Sequence, residues 1–219
     1  MVAVVAGASG LTGAYLLKEL ENAPQIDAVL ALTRKPLPVQ YKKVKELICD
    51  TDFNLVAEQI PKNTLFFCCL GTTIKRAGTA ERFEFVDVTL VAQFIALAVL
   101  KEADAFVLQS SVGANNPRKN FYLQCKQRAE NVLLASSIRR KYIIRPSLLL
   151  GKRTEFRLAE YIAQLTMPFV DWMFLGPLKR FRAVKAQCVA KAMLCVALEE
   201  QSLLRIIESE QIQDLASGR

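Results

Sequence analysis

The sequence contains no histidine. That absence removes Ser-His-Asp and Cys-His catalysis, histidine-ligated metals and imidazole general bases together. Any chemistry must run on Tyr, Lys, Ser, Cys or carboxylates, or be carried by a cofactor. A metal site is not expected. No CxxC pair occurs among the six cysteines, Cys49, Cys68, Cys69, Cys125, Cys188 and Cys195. Most of them sit in apolar segments, where a thiol behaves as a small hydrophobe. They predict a reduced compartment rather than a disulfide framework. Long hydrophobic runs are also missing. The longest, Val88 to Leu100, contains Thr89 and Gln93 and falls short of the about 20 residues that span a bilayer. The apolar start, Met1 to Ala6, has no basic residue ahead of it and does not resemble a signal peptide. Together these absences predict a cytoplasmic protein with no integral membrane segment. Repeats, low-complexity tracts and flexible linkers are absent too. The 219 residues therefore read as one domain, with a core over 1–146 and a C-terminal substrate-side extension over 147–219.

Hydrophobic residues make up 52% of the chain and charged residues 23%, enough to bury a core. The net charge is +8, but the basic residues are scattered: Lys42-Lys43, Arg139-Arg140-Lys141, Lys152-Arg153 and Lys179-Arg180. No helix carries a basic stripe interleaved with aromatics. The pattern favours solvated faces and an anionic small ligand, and argues against nucleic acid.

Apolar runs at Val2–Ala6, Asp27–Thr33, Val44–Cys49, Leu65–Leu70 and Ala105–Gln109 read as buried strands, and Tyr142–Arg145 as the start of another. Helical spacing marks Leu11–Leu20, Leu55–Ile60, Phe83–Ala103 and Phe121–Ser136. Strand and helix alternate, which predicts an α/β, Rossmann-type doubly wound parallel sheet with helices on both faces. After Pro146 the pattern changes. Glu155–Thr166 and Ala186–Glu199 read as helices, and Leu203–Ile207 as a last strand. Met167–Leu175, with Phe169, Trp172 and Phe174, reads as core packing or as the wall of an apolar pocket. This tail predicts a small C-terminal substrate-side cap.

Four motifs carry chemistry. Gly7-Ala8-Ser9-Gly10-Leu11-Thr12-Gly13 joins a strand to a helix in a G-x-x-G-x-x-G spacing. Such a turn lets backbone approach a pyrophosphate, and the helix N-terminus offers free N–H groups to it. No Gly-Lys-Ser/Thr follows, so it is not a P-loop. At the end of the second strand, Arg34 and Lys35 stand where an acidic residue would accept the adenosine ribose of NAD. Their charge suits a 2′-phosphate, so NADP(H) is expected over NAD(H). Asp27 lies at a suitable count from the glycines, but it begins the strand. The third motif is Cys68-Cys69-Leu70-Gly71-Thr72-Thr73, at the carboxyl end of the fourth strand, where open α/β sheets bind ligands. In the fourth, Ser110-Ser111 ends strand five and Tyr122-Leu123-Gln124-Cys125-Lys126 opens the next helix. Tyr122 and Lys126, at i and i+4, share a helix face. A phenol titrates near 10, and a nearby ammonium favours its phenolate. Tyr122 could then exchange a proton with a substrate oxygen while hydride moves at a nicotinamide. Lys126 would also bond the nicotinamide ribose. Ser110 or Ser111 would polarise the substrate carbonyl, with Ser111 favoured.

On Gly7–Gly13, Phe67–Thr73, Ser110–Ala114, Phe121–Lys126 and Arg145-Pro146 through Arg157, the chain resembles the atypical short-chain dehydrogenase/reductases, most closely the family of the HIV-1 Tat-interacting oxidoreductase. The resemblance implies NADPH along Ser9, Gly10, Leu11 and Thr12, along Arg34-Lys35 and along Leu70-Gly71. It implies Tyr122 as proton donor and acceptor with Lys126 as its partner, and further cofactor contacts from Leu149 and Arg157. The expected function is an NADP(H)-dependent oxidoreductase acting on a carbonyl or alcohol of a small molecule. A non-catalytic NADPH-sensing regulatory or interaction module is the alternative, and the presence of all three of Ser, Tyr and Lys favours chemistry. Either a monomer or a homodimer is compatible with the sequence.

Overall fold

The computed structural model describes residues 1–151, 182–199 and 203–218. Its centre is a seven-stranded sheet in the order β3-β2-β1-β4-β5-β6-β9, each neighbouring pair parallel. The strands are β1 (Val2–Ala6), β2 (Ala28–Thr33), β3 (Val44–Ile48), β4 (Leu65–Cys68), β5 (Ala105–Gln109), β6 (Arg140–Arg145) and β9 (Leu204–Glu208). A separate parallel pair joins β7 (Leu149–Leu150) to β8 (Val184–Lys185). The chain winds outward from β1 through β2 to β3 and then returns to β4 on the other side of β1. That reversal opens a crevice at the carboxyl ends of β1 and β4, where ligands of such sheets sit.

The central strands are apolar without alternation because helices cover both their faces. α1 (Leu11–Asn22) and α5 (Ala186–Leu198) lie on one face, where Leu16, Leu20, Met193 and Val196 share a core with Val5, Phe67, Val107 and Ile144. α3 (Ala80–Leu100) and α4 (Phe121–Ala135) cover the other. There Phe94, Ile95, Ala129 and Leu133 meet Val4, Phe66, Phe106 and Ile143. The rings of Phe94 and Phe66 lie 5.2 Å apart, and those of Phe94 and Phe106 lie 5.6 Å apart. Each such buried side chain contributes roughly 1.5–3 kcal/mol relative to exposure.

Local chemistry shifts several element ends. α3 starts at Ala80, ahead of the expected Phe83, because the Thr79 hydroxyl accepts the Arg82 N–H and caps it. Its residues Phe85–Thr89 form a π turn, which brings Asp87 fully into the interior. The whole helix is long and apolar enough to cross a membrane by length and composition, but half of that window is buried within the fold. The expected helix at Leu55–Ile60 is a 3₁₀ turn, Phe53–Gln59, capped by Asp52. α2 (Ile74–Ala77) and α6 (Ile212–Ser217) carried too little periodicity to be anticipated. Within the expected C-terminal extension, α5 and β9 belong to the layers of the central sheet. The remaining expectations there, Glu155–Thr166 and the apolar Met167–Leu175, lie outside the described residues, as does Arg157.

Candidate functional site

The glycine turn presses against the end of β4. Gly7 adopts φ +80°, and a Cβ on it would stand 2.5 Å from the Cys69 backbone. A Cβ on Gly13 would stand 2.2 Å from the Gly7 carbonyl oxygen. The Gly10 N–H donates to that same oxygen at 3.0 Å, closing the turn. α1 then begins with Gly10 as its cap, with no capping side chain and no acidic residue in its first turn. Its leading N–H groups therefore lack side-chain partners. The Thr12 hydroxyl oxygen is buried and has no hydrogen-bond partner among the described residues. A diphosphate suits this cradle: it needs close backbone, free amides and local positive potential.

Arg34 and Lys35 follow β2 directly and are exposed. The Thr33 hydroxyl accepts the Lys35 N–H at 3.2 Å and also bonds the Lys35 carbonyl, fixing the turn that presents them. Asp27 lies at the opposite end of β2, where its carboxylate pairs with the N-terminal amine at 2.5 Å. It is therefore far in register from the carboxyl end where a ribose would sit.

Leu70 and Gly71 follow β4. A Cβ on Gly71 would lie 3.4 Å from the Lys126 Nζ, so Lys126 reaches the loop expected to flank the cofactor. Lys126 is buried and paired at 2.7 Å with Asp87, whose other carboxylate oxygen accepts the Thr72 N–H at 2.8 Å. Burial works to lower the Lys126 ammonium, but Asp87, Tyr122 and Cys68 outweigh it and hold the group above its ordinary value. The ammonium lies 6.0 Å from the Tyr122 ring centroid. Tyr122 is half-buried and packs on Phe83 at 5.9 Å. Asn120 caps α4 by accepting the Leu123 N–H at 3.1 Å, which sets Tyr122 in the first turn. Burial pushes the Cys68 thiol up to about 12 and that of Cys69 higher still. Both stay protonated at neutral pH and fill the strand end as small hydrophobes.

The two serines part company. Ser110 is buried, and its hydroxyl donates to Glu130 on α4. Glu130 is held in turn by Arg145, through Nε at 3.0 Å and a second guanidinium nitrogen at 2.6 Å. Arg145 also bonds Glu208 of β9 at 2.7 Å. Hydrogen bonding to Glu130 raises the Arg145 guanidinium far above its ordinary value, against the effect of burial. Ser111 is half-buried, and among the described residues its hydroxyl makes only a 3.5 Å contact with the Val112 carbonyl. It is thus the serine with a hydroxyl to spare.

Leu149 lies in β7 and packs against the core shared with α1. Two residues on, a Cβ at Gly151 would stand 2.8 Å from the Leu11 side chain, so this segment borders the glycine turn. Asp87, Glu130 and Glu208 were not anticipated from sequence. The usable signal for Asp87 was a lone carboxylate in the otherwise apolar run Phe85-Val86-Asp87-Val88, and Glu130 repeats the four-residue step from Tyr122 to Lys126.

No protein-family model matches the chain. Among solved structures, it superposes with a TM-score of 0.70 on the oxidoreductase ylbE of Lactococcus lactis, at 18% identity over 100% of this chain and 96% of the other. MoeE5, solved in complex with UDP-glucose and NAD, also gives 0.70, at 15% identity over 100% of this chain and 81% of that one. Likeness at such identity shows the shared fold. By sequence, the chain is 36% identical over 157 residues to the mitochondrial protein FMP52 of Debaryomyces hansenii, covering 70% of this chain and 69% of that protein. The mitochondrial FMP52 of Eremothecium gossypii is 32% identical over 227 residues, with 98% and 97% covered. That of Saccharomyces cerevisiae is 30% identical over 225 residues, with 100% and 97% covered.

These relatives correct two expectations. They bear the name FMP52, not that of the Tat-interacting oxidoreductase, so what is shown of the resemblance is the Rossmann-type fold. They are named mitochondrial, which overturns the cytoplasmic expectation. The physical reason is that unpaired, buried thiols argue against an oxidising compartment but do not separate the cytosol from other reducing ones. With relatives of this identity spanning nearly its whole length, the chain belongs to the FMP52 family.

Proposed function

We propose that this chain is a mitochondrial NADP(H)-dependent oxidoreductase of the short-chain dehydrogenase/reductase type, acting on a carbonyl or alcohol of a small molecule. One observation carries the reading: a buried, charged Lys126 lies beside both the Gly71 loop and the Tyr122 ring. Solved proteins of the same fold include one bound to NAD. The choice of NADP(H) over NAD(H) rests on Arg34 and Lys35, whose charge suits a 2′-phosphate. The mitochondrial address rests on the names of the relatives.

The bound dinucleotide would supply the hydride chemistry. The amides that open α1 and the turn Gly7–Gly13 would bind its diphosphate, with Thr12 adding a hydroxyl. Lys126 stays protonated and lends positive potential to Tyr122, while Asp87 limits how much of that charge the phenol feels. Tyr122 gives its hydroxyl proton to the substrate oxygen in reduction and takes it back in oxidation. Ser111 donates a hydrogen bond to the same oxygen and orients it. Ser110 instead serves the floor of the site through Glu130 and Arg145.

The test is NADPH oxidation across a panel of aldehydes, ketones and quinones, with Tyr122→Phe as control. Turnover that falls about 10²–10⁴-fold in Tyr122→Phe, with cofactor binding retained, is the expected result. Tight NADPH binding with no turnover on any carbonyl would instead favour a nucleotide sensor.

A further inference from the structure

The loops at the carboxyl edge of the sheet differ in charge from the rest of the molecule. Those after β1 (7–10), β2 (34–43), β4 (69–79), β5 (110–120) and β6 (146–148) contain no Asp or Glu among them. At this edge they hold Arg34, Lys35, Lys75, Arg76, Arg118 and Lys119, while Lys42 and Lys43 lie at the opposite edge, where the chain enters β3. The exceptions at this edge lie at the two outer strands: the turn after β3, with Asp50 and Asp52, and the turn after β9, with Glu210. A dinucleotide accounts for Arg34 and Lys35, which follow β2. It leaves Lys75, Arg76, Arg118 and Lys119, which follow β4 and β5 at the Tyr122 end.

Packing ties those four to one place. Ala77 of α2 shares an apolar cluster with Phe83, Phe121 and Tyr122. Lys75 and Arg76 directly precede Ala77, and Arg118 and Lys119 directly precede Asn120, the cap of α4. All four are exposed, and none has a carboxylate within ion-pair distance among the described residues. The nearest acids along the chain are engaged elsewhere: Glu81 bonds Thr79 and its own backbone at the start of α3, and Glu84 pairs with Arg128 at 2.8 Å. Arg118 also adopts φ 44°, a left-handed conformation that a non-glycine residue rarely takes. The Gln124 side chain pins it by donating to the Arg118 carbonyl at 2.8 Å. Strain of this kind needs surrounding structure to hold it.

We infer that the carbonyl substrate is anionic, bearing a carboxylate or a phosphate that Lys75, Arg76, Arg118 and Lys119 receive at the mouth of the site. This rests on the oxidoreductase reading and extends it to the substrate. Clefts lined by one sign of charge concentrate the opposite sign and speed its capture by about 10–10³-fold. Cations at the mouth give a neutral aldehyde no such advantage.

The experiment compares NADPH-dependent reduction of 4-formylbenzoate, 4-formylphenyl phosphate and the neutral methyl 4-formylbenzoate. One or both anions should exceed the ester in kcat/KM by about tenfold at low salt, and the ratio should shrink towards one in about 1 M NaCl, where screening is nearly complete. Which anion leads separates a carboxylate site from a phosphate site. The double variants Lys75→Glu/Arg76→Glu and Arg118→Glu/Lys119→Glu should each reduce the ratio. Equal kcat/KM for all three in the wild type would overturn the inference and leave the oxidoreductase standing. So would charge reversal that weakens only NADPH binding. If NADPH binds but neither these three nor any carbonyl of the wider panel turns over, the enzyme reading fails by itself. Calorimetry of the NADPH-loaded protein with benzene-1,4-dicarboxylate then decides the anion site: binding lost in the double variants supports it, and no binding to the wild type overturns it.

Discussion

The Asp87 carboxylate and the Lys126 ammonium face each other at 2.7 Å, with side-chain exposures of 0% and 9%. Asp87 comes from the π turn of α3 and also holds the Thr72 amide, so one carboxylate links the loop after β4 to the lysine beneath Tyr122. Lys126 is thereby placed and kept charged by a residue from another helix.

Replacing Asp87 tests that link. The folded Lys126 sits above its ordinary value, so the stability its charge contributes is complete below the unfolded value and is lost as pH rises through the raised one. In Asp87→Asn, burial acts with its largest opponent gone. The alkaline limit of activity should move down, and stability should fall by about 3–5 kcal/mol, as for a broken buried pair. A pH–rate profile and thermal melts check both. Uniform loss of activity with an unmoved alkaline limb would refute the role given to Asp87.

The two serines should separate cleanly. Ser111→Ala removes a hydroxyl with no strong partner among the described residues and should lower kcat about tenfold or more, with little change in melting temperature. Ser110→Ala removes a donor to buried Glu130 and should cost about 1–3 kcal/mol of stability. Paired kinetics and denaturant titrations distinguish them, and the reverse pattern would make Ser110 the catalytic serine.

Gly13→Ala forces a methyl to within 2.2 Å of the Gly7 carbonyl oxygen. The turn must open, so dinucleotide affinity should fall about 100-fold or more, roughly 3 kcal/mol. Calorimetry against NADPH, with circular dichroism as a check on folding, reads this directly. Unaltered affinity would mean that the diphosphate lies elsewhere.

On the proposed reading, cofactor choice hinges on Arg34. Arg34→Ala should weaken NADPH by about tenfold, in the range of a lost charged hydrogen bond, and leave NADH nearly unchanged. Dissociation constants for both nucleotides test it. Equal losses would show that Arg34 does not read the 2′-phosphate.

Much of this architecture was legible in sequence because parallel strands buried on both faces must be apolar throughout. Val2–Ala6 and Ala105–Gln109 were therefore visible with their ends correct. The glycine turn was legible because backbone contact leaves no room for a Cβ at Gly7 or Gly13. Tyr122 and Lys126 were legible from a four-residue helical step. What stayed hidden was long-range. Nothing local says that Asp87 meets Lys126, 39 positions away, since that contact needs both the π turn and the packing of α3 on α4. Ser110 and Ser111 looked alike because strand alternation sends neighbours to opposite faces, and sequence does not say which face holds Glu130. The compartment was misread for another reason: an address is recognised by receptors and leaves no mark on a folded core.

The Arg145–Glu208 link makes the last strand a structural support of the site. Glu208 lies 63 positions downstream of Arg145, beyond every other strand, and reaches it only once β9 has laid itself along β6. Without β9 docked, Arg145 keeps Glu130 as its one carboxylate partner among the described residues, and β6 becomes the bare border of the sheet. A version cut before this final strand would keep every glycine, serine, tyrosine and lysine discussed above, and would still lack a finished foundation under its reaction chamber.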